Sequence, residues 1–172
     1  MKKVQVIALG AVVFMTCLGF IVTNAAADTS KSKVTSYITK MEVVPVPDVP
    51  GHVWGLYERR GVAIFENGEE AAYWNCGTLD LINKIGPFQG YCILTYKDGS
   101  TIIIKNKGTL MIPKGGKSPV SEGTGTYIKG TGRFEGIKGT LTFKGHYITP
   151  YSKDTKGDMI TLTTGTYTVP SK

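Results

Sequence analysis

Histidine and cysteine are scarce in this chain, two and three among 172 residues, and neither sits at a metal-binding spacing. His52 and His146 stand alone, and Cys17, Cys76 and Cys92 form no Cys-x-x-Cys pair, so no metal centre or cofactor is expected. There is no Gly-x-Ser-x-Gly elbow, and the serines fall in polar, loop-like stretches, which removes the support for a serine hydrolase. Gly123-Thr124-Gly125 and Gly130-Thr131-Gly132 are followed by strand pattern rather than by a helix, so neither supplies the free amides of a phosphate loop. Also missing from Val34 onward are any dozen-residue helical period and any solenoid repeat.

What is present begins with export signals. Met1-Lys2-Lys3 gives a positive start, Val6 to Val22 is uncharged, and Ala25-Ala26-Ala27 offers small residues for cleavage before Asp28. Residues 1–27 therefore read as a signal peptide and 28–172 as one domain, exported to the periplasm or the medium, with no stable membrane span after cleavage. The competing reading is an uncleaved anchor, since the run approaches the roughly 18 to 20 residues that span a bilayer. Cys17 follows Phe14-Met15-Thr16, which is not a lipobox. Removing residues 1–27 lowers the net charge from +7 to +5, because Lys2 and Lys3 leave with no acid. That excess fits a soluble face more than a nucleic-acid site, and nucleic acid is set aside as a partner.

Export would place Cys76 and Cys92 where thiols oxidise. Both lie in strand-like segments flanking Gly86-Pro87, so a cross-strand disulfide is expected, contributing on the order of 3 kcal/mol in the chain-entropy model. Two buried free thiols are the alternative.

With 22 glycines and turn signals at Asn67-Gly68, Asp98-Gly99 and Lys156-Gly157-Asp158, the chain reverses every eight to fifteen residues. Strands are expected at 34–46, 53–59, 61–66, 70–79, 90–97, 100–112, 122–129, 138–149 and 158–169, after a frayed polar lead-in at 28–33. The surest hairpin joins 91–96 to 101–104 through Lys97-Asp98-Gly99-Ser100. Near residue 140, Leu141, Phe143, Gly145 and Tyr147 alternate with Thr140, Thr142, Lys144 and His146, so one face is core or cavity wall and the other wet. Eight or nine strands without covering helices hide their edges best by closing, which favours an all-β, closed antiparallel barrel, with a sandwich as the alternative.

The stretch Gly123 to Gly145, containing Gly130, Thr131, Gly132, Arg133, Phe134, Gly136 and Gly139, resembles the C-terminal part of the allene oxide cyclase and dirigent-like barrel proteins. Gly90-Tyr91-Cys92 followed by Lys97-Asp98-Gly99 looks like the central hairpin of exported bacterial members. The resemblance implies an eight-stranded antiparallel barrel with this motif capping one hairpin. Its implied activities range from cyclases, through the steering of phenolic radical coupling, to none assigned, and no catalytic residue carries over.

Arg133 and Glu135 within the motif read as a turn brace, and Glu66 and Asp80 as strand-end carboxylates facing water. The aromatics Trp54, Tyr57, Tyr73, Trp74, Tyr91, Tyr96, Phe143 and Tyr147 are the candidates for lining a ligand pocket inside the barrel, the alternative being a packed core. The expected function is binding of a small hydrophobic molecule or an envelope partner, with cyclase- or isomerase-like chemistry in the lumen as the alternative. That chemistry requires an inward carboxylate or arginine.

Overall fold

The computed structural model describes residues 27–116, 118–152 and 154–170. The signal peptide expected at residues 1–27 lies, apart from Ala27, outside the described residues, and no described helix is long and apolar enough to cross a membrane. Eight antiparallel strands follow one another around a closed barrel, each paired with its neighbours in sequence. They are β1 (Asp28–Pro45), β2 (His52–Phe65), β3 (Glu70–Ile82), β4 (Gly86–Tyr96), β5 (Thr101–Met111), β6 (Val120–Gly130), β7 (Lys138–Tyr147) and β8 (Met159–Thr168). The ring closes where Asp28 to Ser36 of β1 pair with Tyr167 to Met159 of β8. The sandwich alternative is thereby excluded.

That seam corrects the sequence reading of 28–33 as a frayed lead-in. Its alternating residues Ser30, Ser32, Val34 and Ser36 face inward while Lys31, Lys33 and Thr35 face out. A second correction concerns β2, which is one strand rather than two segments broken near Arg60-Gly61. Gly61 does not end the strand; a Cβ there would stand 2.0 Å from the Thr35 carbonyl oxygen, so glycine permits β1 to cross closely. A third concerns the β3–β4 connection. It turns at Asn83 and Lys84, both at positive φ, and Gly86-Pro87 lies in β4 instead. The 91–104 hairpin forms as expected, with the Gly99 amide donating to the Tyr96 carbonyl.

The expected disulfide is absent: Cys76 and Cys92 are free. They lie on adjacent strands, but Asn75 is the register partner of Cys92, and Cys76 pairs with Tyr91. An offset of one residue sends the two thiols to opposite faces of the sheet, Cys92 into the barrel and Cys76 outside.

One end of the barrel is plugged. Phe134, from the short 3-10 turn Gly132–Phe134 between β6 and β7, is buried with Ile137, Tyr96, Ile102, Ala63 and Val34. Its ring lies 4.8 Å from that of Tyr96. The motif's conformation explains its glycines: Gly132 has φ +61, and a Cβ there would meet the Ser100 hydroxyl at 2.3 Å. The Arg133 amide donates to that hydroxyl, so the motif ties the β6–β7 turn to the β4–β5 hairpin. Arg133 itself pairs with Glu69 and, at 3.6 Å, with Asp98. Glu135 is not among its partners, so the expected brace exists with different acids.

Two outcomes are expected. Unfolding residues 28–172 without reductant exposes two titratable thiols, and a count of zero would restore the disulfide. Phe134→Ala lowers the free energy of unfolding by about 3–5 kcal/mol, read by denaturant titration.

Candidate functional site

Above the plug the barrel is less completely filled. The buried cluster towards the other end, the mouth, is small: Tyr57, Leu79 and Leu81, with Met41, Val53, Phe88 and Leu110 against it. Between the two clusters lies a cavity of about 120 Å³. Its existence follows from side-chain size at inward positions. Apolar Val34, Ile38, Leu94, Ile104 and Leu141 reach the cavity, but Ser32, Ser36, Ser121, Thr161 and Thr163 stand among them and are too short to meet across the barrel.

Four of the eight aromatic candidates line this cavity: Tyr57, Tyr73, Phe143 and Tyr147. Tyr96 faces inward but is packed against Phe65 and Phe134 in the plug. Trp54 and Tyr91 lie on the outer wall, 43% and 45% exposed. Trp74 is also outward, beneath the Arg60 guanidinium at 5.0 Å. Strand parity decides each case: β2 sends odd-numbered residues inward up to Phe65, β3 does the same, and β4 sends even-numbered ones.

The same parity brings Arg59 inside. Its residue is only 6% exposed. Nε donates to the Ser36 hydroxyl at 3.2 Å, and Nη2 donates to the Gly157 carbonyl at 2.6 Å and the Ser36 carbonyl at 3.4 Å. The guanidinium lies 5.5 Å from the centre of the Tyr147 ring. No ion pair among the described residues includes it. Withdrawing such a charge from water costs several kcal/mol unless it is compensated.

Two further lumen groups lack partners among the described residues. The Tyr57 hydroxyl and the Asn106 Oδ1 are buried without a hydrogen bond. Asn75, by contrast, donates from Nδ2 to the Tyr91 carbonyl at 3.0 Å. Burial pushes the Tyr57 and Tyr73 phenols well above their usual range, against the opposing pull of Arg59, and pushes Tyr127 up to about 12. All stay neutral at physiological pH, as does the buried Cys92 thiol, also raised by burial.

Arg59 and Asn106 were not among the sequence candidates, whereas Tyr57 was. Splitting β2 at Arg60-Gly61 hid the run Val53, Gly55, Tyr57, Arg59, Gly61, Ala63, Phe65, in which one arginine interrupts an otherwise inward face. Asn106 carried no signal beyond its alternation with Ile104.

The mouth has its own character. Each of its four connections presents exposed apolar side chains: Val49 between β1 and β2, Ile85 between β3 and β4, Ile112 between β5 and β6, Ile148 and Tyr151 between β7 and β8. At the plugged end the turns carry Glu66, Asn67, Lys97 and Asp98 instead. On the rim, His52 lies between two carboxylates, Nδ1 2.5 Å from Asp48 and Nε2 2.6 Å from Asp80. Only the imidazolium can donate to both, so hydrogen bonds to Asp80 and Asp48 raise His52 above its ordinary value, and the bond to His52 lowers Asp48. Asp80 thus has a partner rather than water alone. Glu66 pairs with Lys31 at the surface, and His146 is exposed as expected.

No family model matches the sequence, and no curated protein matches it. Among solved structures, the chain is similar to the pterocarpan synthase dirigent protein PsPTS1, at 11% identity and a TM-score of 0.51 over 86% of this chain and 97% of that one. It is also similar to the pterocarpan synthase dirigent protein GePTS1, at 14% identity and a TM-score of 0.48 over 99% and 100% of the two chains. At 11% identity the likeness to PsPTS1 shows the fold alone, a closed eight-stranded barrel of the dirigent kind.

The His52 clamp makes a signed prediction. A raised histidine contributes stability that is whole below its usual 6.5 and fades as pH climbs through its raised value. The lowered Asp48 contributes stability that is whole above its usual 3.8 and fades as pH falls through its depressed value. The melting-temperature difference between wild type and His52→Gln should therefore be largest between these limits and shrink on the alkaline side. A difference that grows with alkaline pH would contradict the clamp.

Proposed function

We propose that the chain is a binding module whose barrel lumen holds a small hydrophobic molecule. The observation that carries this reading is the cavity of about 120 Å³ with an apolar wall and a buried, unpartnered Tyr57 hydroxyl. Its size is near that of cavities of about 150 Å³ that hold a benzene ring, and Met41 and Met159 in the lining give it room to adjust. The apolar rim supports entry at the mouth, since it offers an incoming hydrophobic molecule a surface before the lumen.

Cyclase- or isomerase-like chemistry is the second reading, favoured by one observation: an arginine, Arg59, lines the cavity. No carboxylate among the described residues joins it there to act as a base, which is why binding is preferred. Location belongs to the same proposal. The uncharged run before Ala25-Ala26-Ala27 supports export with a chain starting at Asp28, and a mature N-terminus elsewhere, found by mass spectrometry of the protein from its own host, would remove that part.

Native mass spectrometry of the host-derived protein is expected to show a bound small molecule that Thr161→Phe, which places a ring in the cavity, displaces without unfolding the barrel. An empty wild-type protein that also fails to bind a panel of lipids and phenolics would end the reading.

A further inference from the structure

The lumen carries an unbalanced charge, and that imbalance narrows the ligand's chemistry. Among the described residues Arg59 is the permanently charged group of the lining, and no aspartate or glutamate shares the cavity wall with it. The tyrosine phenols and the Cys92 thiol that also face inward are held neutral by burial. The interior is therefore a low-dielectric chamber with one positive charge and no negative one among the described residues.

The hydrogen bonds of the guanidinium sharpen the point. Nε and Nη2 are engaged by Ser36 and Gly157. Nη1 has no acceptor among the described residues. The contacts that exist also hold the group in place, because the Ile38 amide donates to the Lys156 carbonyl at 2.8 Å and fixes the β7–β8 loop beside it. A rigid, partly satisfied, desolvated guanidinium is the arrangement that selects an oxyanion.

We infer that the lumen is selective for a small apolar anion, a carboxylate carrying about one ring or its aliphatic equivalent, whose charged end meets Arg59; this rests on the reading of the lumen as a ligand site. The size of the chamber excludes long chains held wholly inside. The lining offers hydroxyls in number but a single cation among the described residues, so a phosphate dianion would keep an uncompensated charge in the chamber, whereas a single carboxylate is matched by the guanidinium. Tyr57, with its hydroxyl free, is available as a further donor.

The test compares benzoate with its neutral isostere benzamide by isothermal titration calorimetry and ligand-observed NMR, on wild type and on Arg59→Met. Benzoate should bind wild type at least about tenfold more tightly than benzamide, the size of one charge-assisted contact. Arg59→Met should erase that preference, weakening benzoate by at least about tenfold more than benzamide. Equal binding of the two probes to wild type, or a benzoate preference that survives in Arg59→Met, overturns the anion inference and leaves the lumen reading standing. Failure of both probes to bind wild type overturns the lumen reading and the inference together. Because the wild-type comparison is decisive alone, a poorly folding variant does not rescue the claim.

Discussion

Closure of the sheet between β1 and β8 is the constraint on which the rest depends. Once Asp28 to Ser36 pair with Tyr167 to Met159, no strand edge remains open and every inward side chain faces a bounded interior. Parity then assigns each residue to lumen or solvent without further choice. The same rule that buries Val34, Ile104 and Tyr127 also buries Arg59 and separates Cys76 from Cys92. Two bulges modulate it: the register shifts between Ile38 and Lys40, and between Ile103 and Ile104 opposite Ile128. After the first, β1 changes which residues point inward, and Met41 reaches the cavity.

The two ends of the barrel differ in how they are filled. At one end Phe134 and its neighbours form the larger apolar cluster, held by the Gly132–Phe134 turn and by Arg133 lying over the rings of Tyr96 and Phe134 at 4.8 and 4.7 Å. At the other, three buried residues and an apolar rim leave the interior accessible to change. Polar atoms without partners occur in the lumen between them, where a filled core would have had no reason to keep them. A buried arginine in the same cavity wall is costly to folding, and the proposed ligand site would offset that cost.

Much of this was legible from the residues. Alternation near residue 140 placed Leu141, Phe143, Gly145 and Tyr147 on the inner wall, and the lack of helical pattern led to a closed barrel. The Gly130 to Gly136 motif told of fold rather than chemistry, and the structure uses it as an end cap. What was not legible came from treating residue type as direction. Trp54, Trp74 and Tyr91 are aromatic but sit at outward positions, and the cysteines are close in register but one residue out of phase. The expected strands 53–59 and 61–66 are one strand, Gly61 marking a close crossing with β1, and the split between them concealed Arg59. The His52 bridge joins residues from two elements, so no local pattern announces it.

The most direct test of the account is a high-resolution crystal structure of the protein purified from its own host, inspected for electron density inside the barrel. The account predicts density for a compact molecule in the cavity with an oxygen within hydrogen-bond distance of Arg59. A lumen holding only water, or one in which Tyr57, Tyr147 and Met159 close over the guanidinium and fill the space, would contradict it.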